Sequence, residues 1–116
     1  MFFSSPRNIS FLEEHCRLAW GAAPALTWVS ARYGLPSFRG ASNIVFSSGL
    51  LDPWSGASLQ ASPAPERDLV VVNISESGHH LDLFFSNPAD PPSVVSARRT
   101  EVGFIAKWVA AARARK

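Results

Sequence analysis

The sequence has no apolar run long enough to cross a bilayer, since no stretch approaches the ~18 consecutive apolar residues of a membrane helix. It has one cysteine, Cys16, so no disulfide can form within the chain. In a reducing compartment this thiol is a small hydrophobe, and in an oxidising one its partner lies elsewhere. The start of the chain also lacks the apolar segment of a secretory signal, and Glu13 and Glu14 follow soon after it. We therefore expect no membrane partner, no internal disulfide and no signal peptide in this chain.

The charge of the chain is unevenly distributed. Of the 116 residues, 47% are hydrophobic and 17% are charged, which is typical of one folded domain. Residues 1–92 hold five basic residues against eight acidic ones, whereas residues 93–116 hold six basic residues against Glu101 alone. Basic residues at the end of a helix complement its dipole, and a nucleic-acid interface usually interleaves them with aromatic residues. We therefore expect no nucleic-acid partner, and a nucleic-acid binder with a basic tail is the weakest alternative.

Two helical segments are predicted in the first third of the chain. Apolar residues at helical spacing predict a helix over 9–20, with Ser10 and Glu13 in the pattern of a capping box and Gly21 after its end. The aromatic segment 26–34 is compatible with a short second helix. Helix and loop 9–42 thus precede the remainder of the predicted domain, which spans 1–116.

Two short apolar runs predict strands, and a long helix follows them. A strand and an aspartate loop occupy 43–66, and a strand and a histidine loop occupy 68–82. Both runs are continuously apolar rather than alternating, which is typical of parallel strands buried on both faces. A C-terminal helix is predicted over 93–113, with Asp90 as its N-cap and Pro91 at its first position. The order of these elements predicts an α/β fold.

An acid and a histidine follow the two predicted strands. Asp52 comes after the first strand and His79 after the second, at the edge of a parallel sheet where sites form. In α/β-hydrolases the catalytic residues occur in the order Ser, Asp or Glu, His. The acid fixes the tautomer of the histidine, which takes the proton of the serine hydroxyl. The spacing alone favours the alternative that Asp52 and Pro53 form a turn and that His79 is a surface residue.

Three segments carry a more specific signal. SNIVFSSGLLDPWSG, ISESGHHLDL and DPPSVVSARRTEV closely resemble the C-terminal portion of the lysosomal Pro-X carboxypeptidase and dipeptidyl peptidase II family of serine exopeptidases. The resemblance covers about residues 11–109, and the tail is somewhat more similar to dipeptidyl peptidase II. It implies the C-terminal part of an α/β-hydrolase fold. It also implies that Asp52 is the triad aspartate, that His79 is the triad base, and that Trp54 walls the pocket for a proline or alanine of the substrate.

The resemblance has further implications. It implies peptide substrates with Pro or Ala near a terminus, a lysosomal, vesicular or secreted location, and a homodimer in the full-length form. It implies that Cys16 matches a cysteine whose disulfide partner lies earlier in a full-length protein. Asn8-Ile9-Ser10 fits the glycosylation acceptor pattern and Asn8 is a candidate in a secreted chain. Asn73-Ile74-Ser75 fits it too, but lies in a strand that we expect to be buried.

The nucleophile of such a peptidase is not evident in the sequence. A nucleophile elbow reads G-x-S-x-G, and Gly40-Ala41-Ser42 and Gly56-Ala57-Ser58 supply only its first half. The family usually has a run of glycines where the second of these segments lies, so the local backbone departs from its pattern. The family's serine lies upstream. We therefore expect a fragment or truncated form of an exopeptidase that is inactive alone. The alternative is a non-catalytic α/β binding or regulatory module.

A metal site is the remaining interpretation of the histidine loop. His79, His80 and Asp82 offer three ligands, but adjacent histidines on an extended segment point to opposite faces, and structural zinc usually has four ligands. We therefore expect neither a metal nor a cofactor.

Overall fold

The computed structural model describes residues 8–115, which belong to two compact units. Residues 8–35 contain two helices, and residues 36–115 contain a two-stranded sheet and a long helix. The elements are α1 (Ile9–Trp20), α2 (Trp28–Tyr33), β1 (Ile44–Gly49), β2 (Leu69–Ile74) and α3 (Pro92–Arg113), with 3-10 turns at Pro53–Ala57, Pro65–Arg67 and Leu81–Leu83. No helix in this described range is long and apolar enough to span a bilayer. The assignment of the whole chain to one domain stays a prediction.

The first helix has the predicted span but a different cap. The carboxamide Oδ1 of Asn8 accepts a hydrogen bond from the N–H of Phe11 at 2.8 Å, so Asn8 is the N-cap. The predicted capping box is therefore wrong, because Ser10 already lies inside the helix. Gly21 ends the helix with φ 63°, a left-handed conformation that glycine adopts without a steric penalty.

The two strands form a parallel pair, as the α/β prediction requires. Their register runs from Ile44 opposite Leu69 to Gly49 opposite Ile74, so both carboxyl ends lie at one edge of the sheet. The prediction that these strands are buried on both faces is wrong for the described residues. In β1 only Gly49 is buried, and the five residues before it are half-buried.

A small apolar core joins the sheet to α3. Ile74 of β2 is buried against Val94 and Ala97 of α3, and Val72 and Leu81 pack around them. Leu81 belongs to the turn that follows the histidine loop, so this core also fixes the chain just beyond that loop.

The start of α3 differs from the prediction by one residue. Pro91 is its N-cap and Pro92 its first residue, whereas Asp90 lies outside the helix. The carboxylate of Asp90 instead accepts hydrogen bonds from the N–H of Asn87 at 2.8 Å and from the guanidinium of Arg98 at 2.5 Å. The predicted cap is wrong because these two donors engage the Asp90 carboxylate.

The other end of the sheet is attached to α3 by Asp68, the residue before β2. Its carboxylate accepts hydrogen bonds from Lys107 Nζ at 2.7 Å and from Trp108 Nε1 at 2.9 Å. These two donors lower the pKa of Asp68 below its ordinary value, with the Lys107 hydrogen bond as the largest cause. The long helix is therefore held at both ends of β2.

Candidate active site

Asp52 is positioned by the turn that ends β1. Its N–H donates to the carbonyl of Gly49 at 3.1 Å, and its Oδ1 accepts from the N–H of Trp54 at 3.0 Å. The short side chain thereby caps the Pro53–Ala57 turn, a common role of aspartate at such positions. This leaves the second carboxylate oxygen, Oδ2, for a different partner.

The histidine loop lies directly against the end of β1. The N–H of Leu50 donates to the carbonyl of Ile74 at 2.9 Å, and the N–H of Leu51 donates to that of Ser77 at 3.0 Å. At Gly49 the approach is so close that a Cβ would lie 2.2 Å from the carbonyl oxygen of Gly78. Glycine is therefore required at position 49, since any side chain would displace the histidine loop.

These two loops bring Asp52 and His79 into hydrogen-bond contact. His79 Nδ1 lies 2.5 Å from Asp52 Oδ2, although the residues are 27 positions apart. The His79 hydrogen bond is the largest cause of a lowered pKa at Asp52, and the Trp54 N–H is the second. Because an ionised carboxylate can only accept, Nδ1 carries the proton and the free base is Nε2.

The Asp52 and His79 side chains differ in their exposure to solvent. The Asp52 side chain is 13% exposed, whereas that of His79 is 59% exposed. Within residues 8–115 the Nε2 atom has no hydrogen-bond partner. The pair thus presents an oriented imidazole base on an open surface, and it can accept a proton from a hydroxyl group brought to that face.

The second histidine of the pair stands beside the first. Its backbone is left-handed at φ 55°, and the ring centroids of His79 and His80 are 3.9 Å apart at a tilt of 54°. The prediction that the two rings point to opposite faces is wrong, because the left-handed residue interrupts the extended backbone. Among the described residues no three His, Cys, Asp or Glu side chains form a group that could hold a metal ion.

The other predicted site residues are exposed or half-buried. Trp54 is 73% exposed, and its predicted role as a pocket wall stays a prediction. Cys16 is a half-buried free thiol on α1, and Asn8 is exposed. The expectation that Asn73 is buried is wrong: it is exposed, and its Nδ2 donates to the carbonyl of Gln60 at 3.0 Å.

Arg98 is a structural residue of the site that sequence reasoning does not find. From α3 its guanidinium donates to three backbone carbonyls just after the histidine loop, and to Asp90. The carbonyls belong to Leu81, Asp82 and Phe84. One arginine thus attaches the segment after His79 to the long helix. Its sequence neighbourhood contains no pattern that distinguishes it from Arg99.

The fold and the paired side chains together define a class of protein. Parallel strands, followed at their carboxyl ends by an acid and by a histidine that it holds, are part of an α/β-hydrolase-type fold. Comparison with protein-family models matches residues 2–101 to the family described as serine carboxypeptidase S28. The chain belongs to this family of serine peptidases.

Individual relatives agree with the family match. The chain is 40% identical over 109 residues to the lysosomal Pro-X carboxypeptidases of Homo sapiens and Pongo abelii. It is 39% identical over 77 residues to the prolyl carboxy peptidase like protein 5 of Caenorhabditis elegans. The first two alignments cover 94% of this chain, which spans 22% of the length of those relatives. The third covers 66% of this chain and 15% of its relative.

Proposed function

We propose that this chain contributes the aspartate and histidine of the catalytic triad in a serine exopeptidase that cleaves peptides next to Pro or Ala. The observation that carries the proposal is the hydrogen bond between Asp52 Oδ2 and His79 Nδ1. It orients Nε2 of the imidazole outward, as a base for a serine hydroxyl must be oriented.

The proposed mechanism assigns a role to each of the two residues. His79 Nε2 takes the proton of the serine hydroxyl as the oxygen attacks the scissile carbonyl, and then gives that proton to the leaving amine. Asp52 holds the ring and stabilises the imidazolium that forms. Because its hydrogen bonds to His79 and Trp54 lower its pKa, Asp52 stays ionised in a mildly acidic compartment. The proposed location is lysosomal, which is supported by the printed names of the mammalian relatives.

The serine is proposed to lie on polypeptide outside these 116 residues. No G-x-S-x-G occurs in the sequence, and the matched relatives are several times longer than the aligned segment. We therefore propose that the isolated chain does not hydrolyse peptides. Loss of a triad serine removes the covalent route and leaves only weak residual catalysis.

Two specificities follow from different features. The SVVSARRTEV segment resembles dipeptidyl peptidase II, which supports removal of a dipeptide ending in Pro or Ala. The names of the matched relatives support removal of a single C-terminal residue after Pro. Trp54 is proposed to wall the pocket for the Pro or Ala in both cases. The homodimer implied by the resemblance stays a prediction.

A chimaeric enzyme tests this function and separates the specificities. The aligned segment of the human lysosomal Pro-X carboxypeptidase is replaced by that of this chain, and the secreted protein is assayed at mildly acidic pH. A fluorogenic Lys-Pro or Lys-Ala substrate reports dipeptidyl release, and a peptide ending in Pro-Phe reports carboxypeptidase activity. We expect hydrolysis of one class, loss of it in His79→Ala and Asp52→Asn, and normal activity in the exposed control His15→Ala. Equal activity in all four proteins would contradict the assignment.

A further inference from the structure

Two carboxyl groups, each with a buried oxygen that has no partner among the described residues, lie at the turn that follows the histidine loop and on α3. Asp82 belongs to the turn that begins two residues after His79, and it is 4% exposed. Glu101 lies on α3 one turn after Arg98, which contacts the backbone of Asp82, and Asp82 is a neighbour of its carboxyl group. Asp82 Oδ2 and Glu101 Oε1 are both buried, and within residues 8–115 neither has a hydrogen-bond partner. A buried polar atom without a partner is costly, so this pair requires an explanation.

Arg98 is the cation nearest to the pair, but its donors are engaged elsewhere. Its Nε donates to the backbone carbonyl of Asp82 at 2.8 Å, and its two terminal nitrogens donate to Asp90 and to the carbonyls of Leu81 and Phe84. Four of the five guanidinium N–H groups are therefore used outside the two carboxyl groups. The positive charge moderates the repulsion between the carboxyl groups without giving either unpartnered oxygen a hydrogen bond.

The other surroundings of the pair offer no charge. Glu101 lies on the wall of a cavity of about 350 Å³ between β1 and α3. The remaining lining residues of this cavity carry no titratable group; they are Asn43, Ile44, Val45, Ser47, Leu83, Ile105 and Trp108. The titratable and charged groups that act on Glu101 are thus Asp82 from the turn and Arg98 from α3.

We propose that Asp82 and Glu101 share one proton, and that the resulting hydrogen bond holds the histidine loop on α3. The shared proton turns one carboxyl oxygen into a donor for the other, which satisfies both unpartnered atoms and removes one of two adjacent negative charges. Asp82 and Glu101 are then positioning residues that act through His79. That role in catalysis rests on the function proposed above, whereas the shared proton does not depend on it.

The titration behaviour of Glu101 agrees with the geometry. Burial is the largest cause that raises its pKa above the ordinary value, the neighbouring Asp82 raises it further, and Arg98 opposes both. A carboxyl whose pKa is raised by folding stabilises the protein fully below its unfolded value of 4.5. This contribution is lost as the pH rises through the folded value. The histidine loop is therefore held most firmly at mildly acidic pH.

The test compares the pH dependence of stability in the full chain and in Glu101→Gln. The glutamine amide donates permanently to Asp82, so no titrating proton is needed. Thermal melting and amide hydrogen exchange of segment 77–84, corrected for the intrinsic rate, are measured at pH 4.5 and pH 7. The control is Glu13→Gln, which removes an exposed carboxyl from α1. Wild type and Glu101→Gln contain the same histidines. A difference between these two proteins in the change of Tm with pH therefore reports on Asp82 and Glu101.

The Tm of Glu101→Gln should depend less on pH than the Tm of the wild-type chain. From pH 4.5 to 7 the wild-type chain and Glu13→Gln should lose several degrees in Tm and lose exchange protection in 77–84, whereas Glu101→Gln should lose much less. Asp82→Asn, which replaces the other partner, should flatten the profile in the same direction. These readouts involve no catalysis, so inactivity of the chimaera leaves this proposal intact.

Three outcomes would overturn the shared proton. If Tm changes with pH in the same way in wild type and in Glu101→Gln, no proton is shared between Asp82 and Glu101. Absence of exchange protection in 77–84 at both pH values would show that the pair does not hold the loop. Stabilisation of the wild type by Ca²⁺ or Mn²⁺ at pH 7, lost in Glu101→Gln, would show that a cation rather than a proton lies between the carboxyl groups.

Discussion

Gly49 at the end of β1 and Asp52 in the turn after it determine the position of His79. Gly49 lets the histidine loop approach the end of β1, and Asp52 then reaches His79 Nδ1 at 2.5 Å. Sequence motifs predict Asp52 and His79, because both residues lie in segments with a specific family resemblance. The need for glycine at position 49 is not predictable from the sequence, since it arises from a contact with Gly78, 29 positions away, that exists only after the strands have paired.

Asp52 should determine which ring nitrogen of His79 carries the proton. In the wild-type chain at neutral pH the carboxylate of Asp52 should hold the imidazole as the Nδ1–H tautomer. Asp52→Asn should lose this preference, because a neutral amide holds the Nδ1–H much less strongly than a carboxylate. Side-chain ¹⁵N shifts of the histidines measure the tautomer, with His15 as the internal reference. An unchanged tautomer at His79 in the variant would mean that Asp52 does not orient the ring.

A side chain added at position 49 should destabilise the protein, because the histidine loop approaches Gly49 closely. Gly49→Ala should lower the free energy of unfolding by ~1–3 kcal/mol or more, because its Cβ would overlap the backbone of Ser77 and Gly78. Gly103→Ala on α3 is the matched control, since its added Cβ meets nothing within 4 Å. That substitution should stabilise the helix by ~0.5–1 kcal/mol. Urea denaturation measures both, and equal effects of the two variants would contradict the structure.

At the scale of elements, α3 organises the second unit. It packs Val94 and Ala97 on Ile74, binds the turn after the histidine loop through Arg98, and holds the start of β2 through Asp68. Apolar spacing and proline predict that this helix exists and where it lies within a residue. They do not predict which of its polar residues are buried, because that depends on the turn that packs against each face.

Arg98 and its neighbour Arg99 give a matched test of this arrangement. Arg98→Met should lower the free energy of unfolding by at least ~2 kcal/mol, because three carbonyl groups lose a charged donor. Arg99→Met, an exposed position on the same helix, should change it by less than ~0.5 kcal/mol. Chemical denaturation of the two variants gives the comparison. A loss of similar size in both would remove Arg98 from its assigned role.

The strands illustrate what a single chain can reveal about burial. Continuous apolar runs predict the strands and their parallel pairing correctly, because such runs are typical of parallel sheets. Their burial on both faces is not observed in residues 44–49, which are mostly half-buried. Asn73, expected to be buried, is exposed. Burial depends on what covers each face of a sheet, and a strand's own sequence carries no direct record of that cover.

At the scale of the whole molecule, opposite pKa shifts define the pH range of stability. Hydrogen bonds lower the pKa of Asp52, Asp68 and Asp90, mainly from His79, Lys107 and Arg98 respectively. Each depressed pKa contributes stability above the unfolded value of 3.8, and this contribution is lost as the pH falls through the folded value. Glu101 acts in the opposite direction, since its raised pKa costs stability as the pH rises above 4.5.

These shifts predict a stability maximum in the mildly acidic range. The Tm of the chain should fall steeply when the pH drops below about 3.8 and more gradually when it rises above about 4.5. Asp68→Asn should reduce the loss on the acid side, because one of the three depressed groups is removed. Melting curves from pH 2.5 to pH 7 measure the profile. A maximum above pH 7 would contradict the assigned directions.

We propose that Asp52 and His79 activate a serine supplied by polypeptide outside this chain. The most direct measurement is the rate at which a fluorophosphonate probe labels that serine in the chimaera with the human relative, because labelling reports activation without depending on peptide specificity. We predict rapid labelling in the parent chimaera and in His15→Ala, and loss of nearly all labelling in His79→Ala and Asp52→Asn. Labelling that proceeds equally fast in His79→Ala, with secretion and melting unchanged, would show that His79 does not activate the serine.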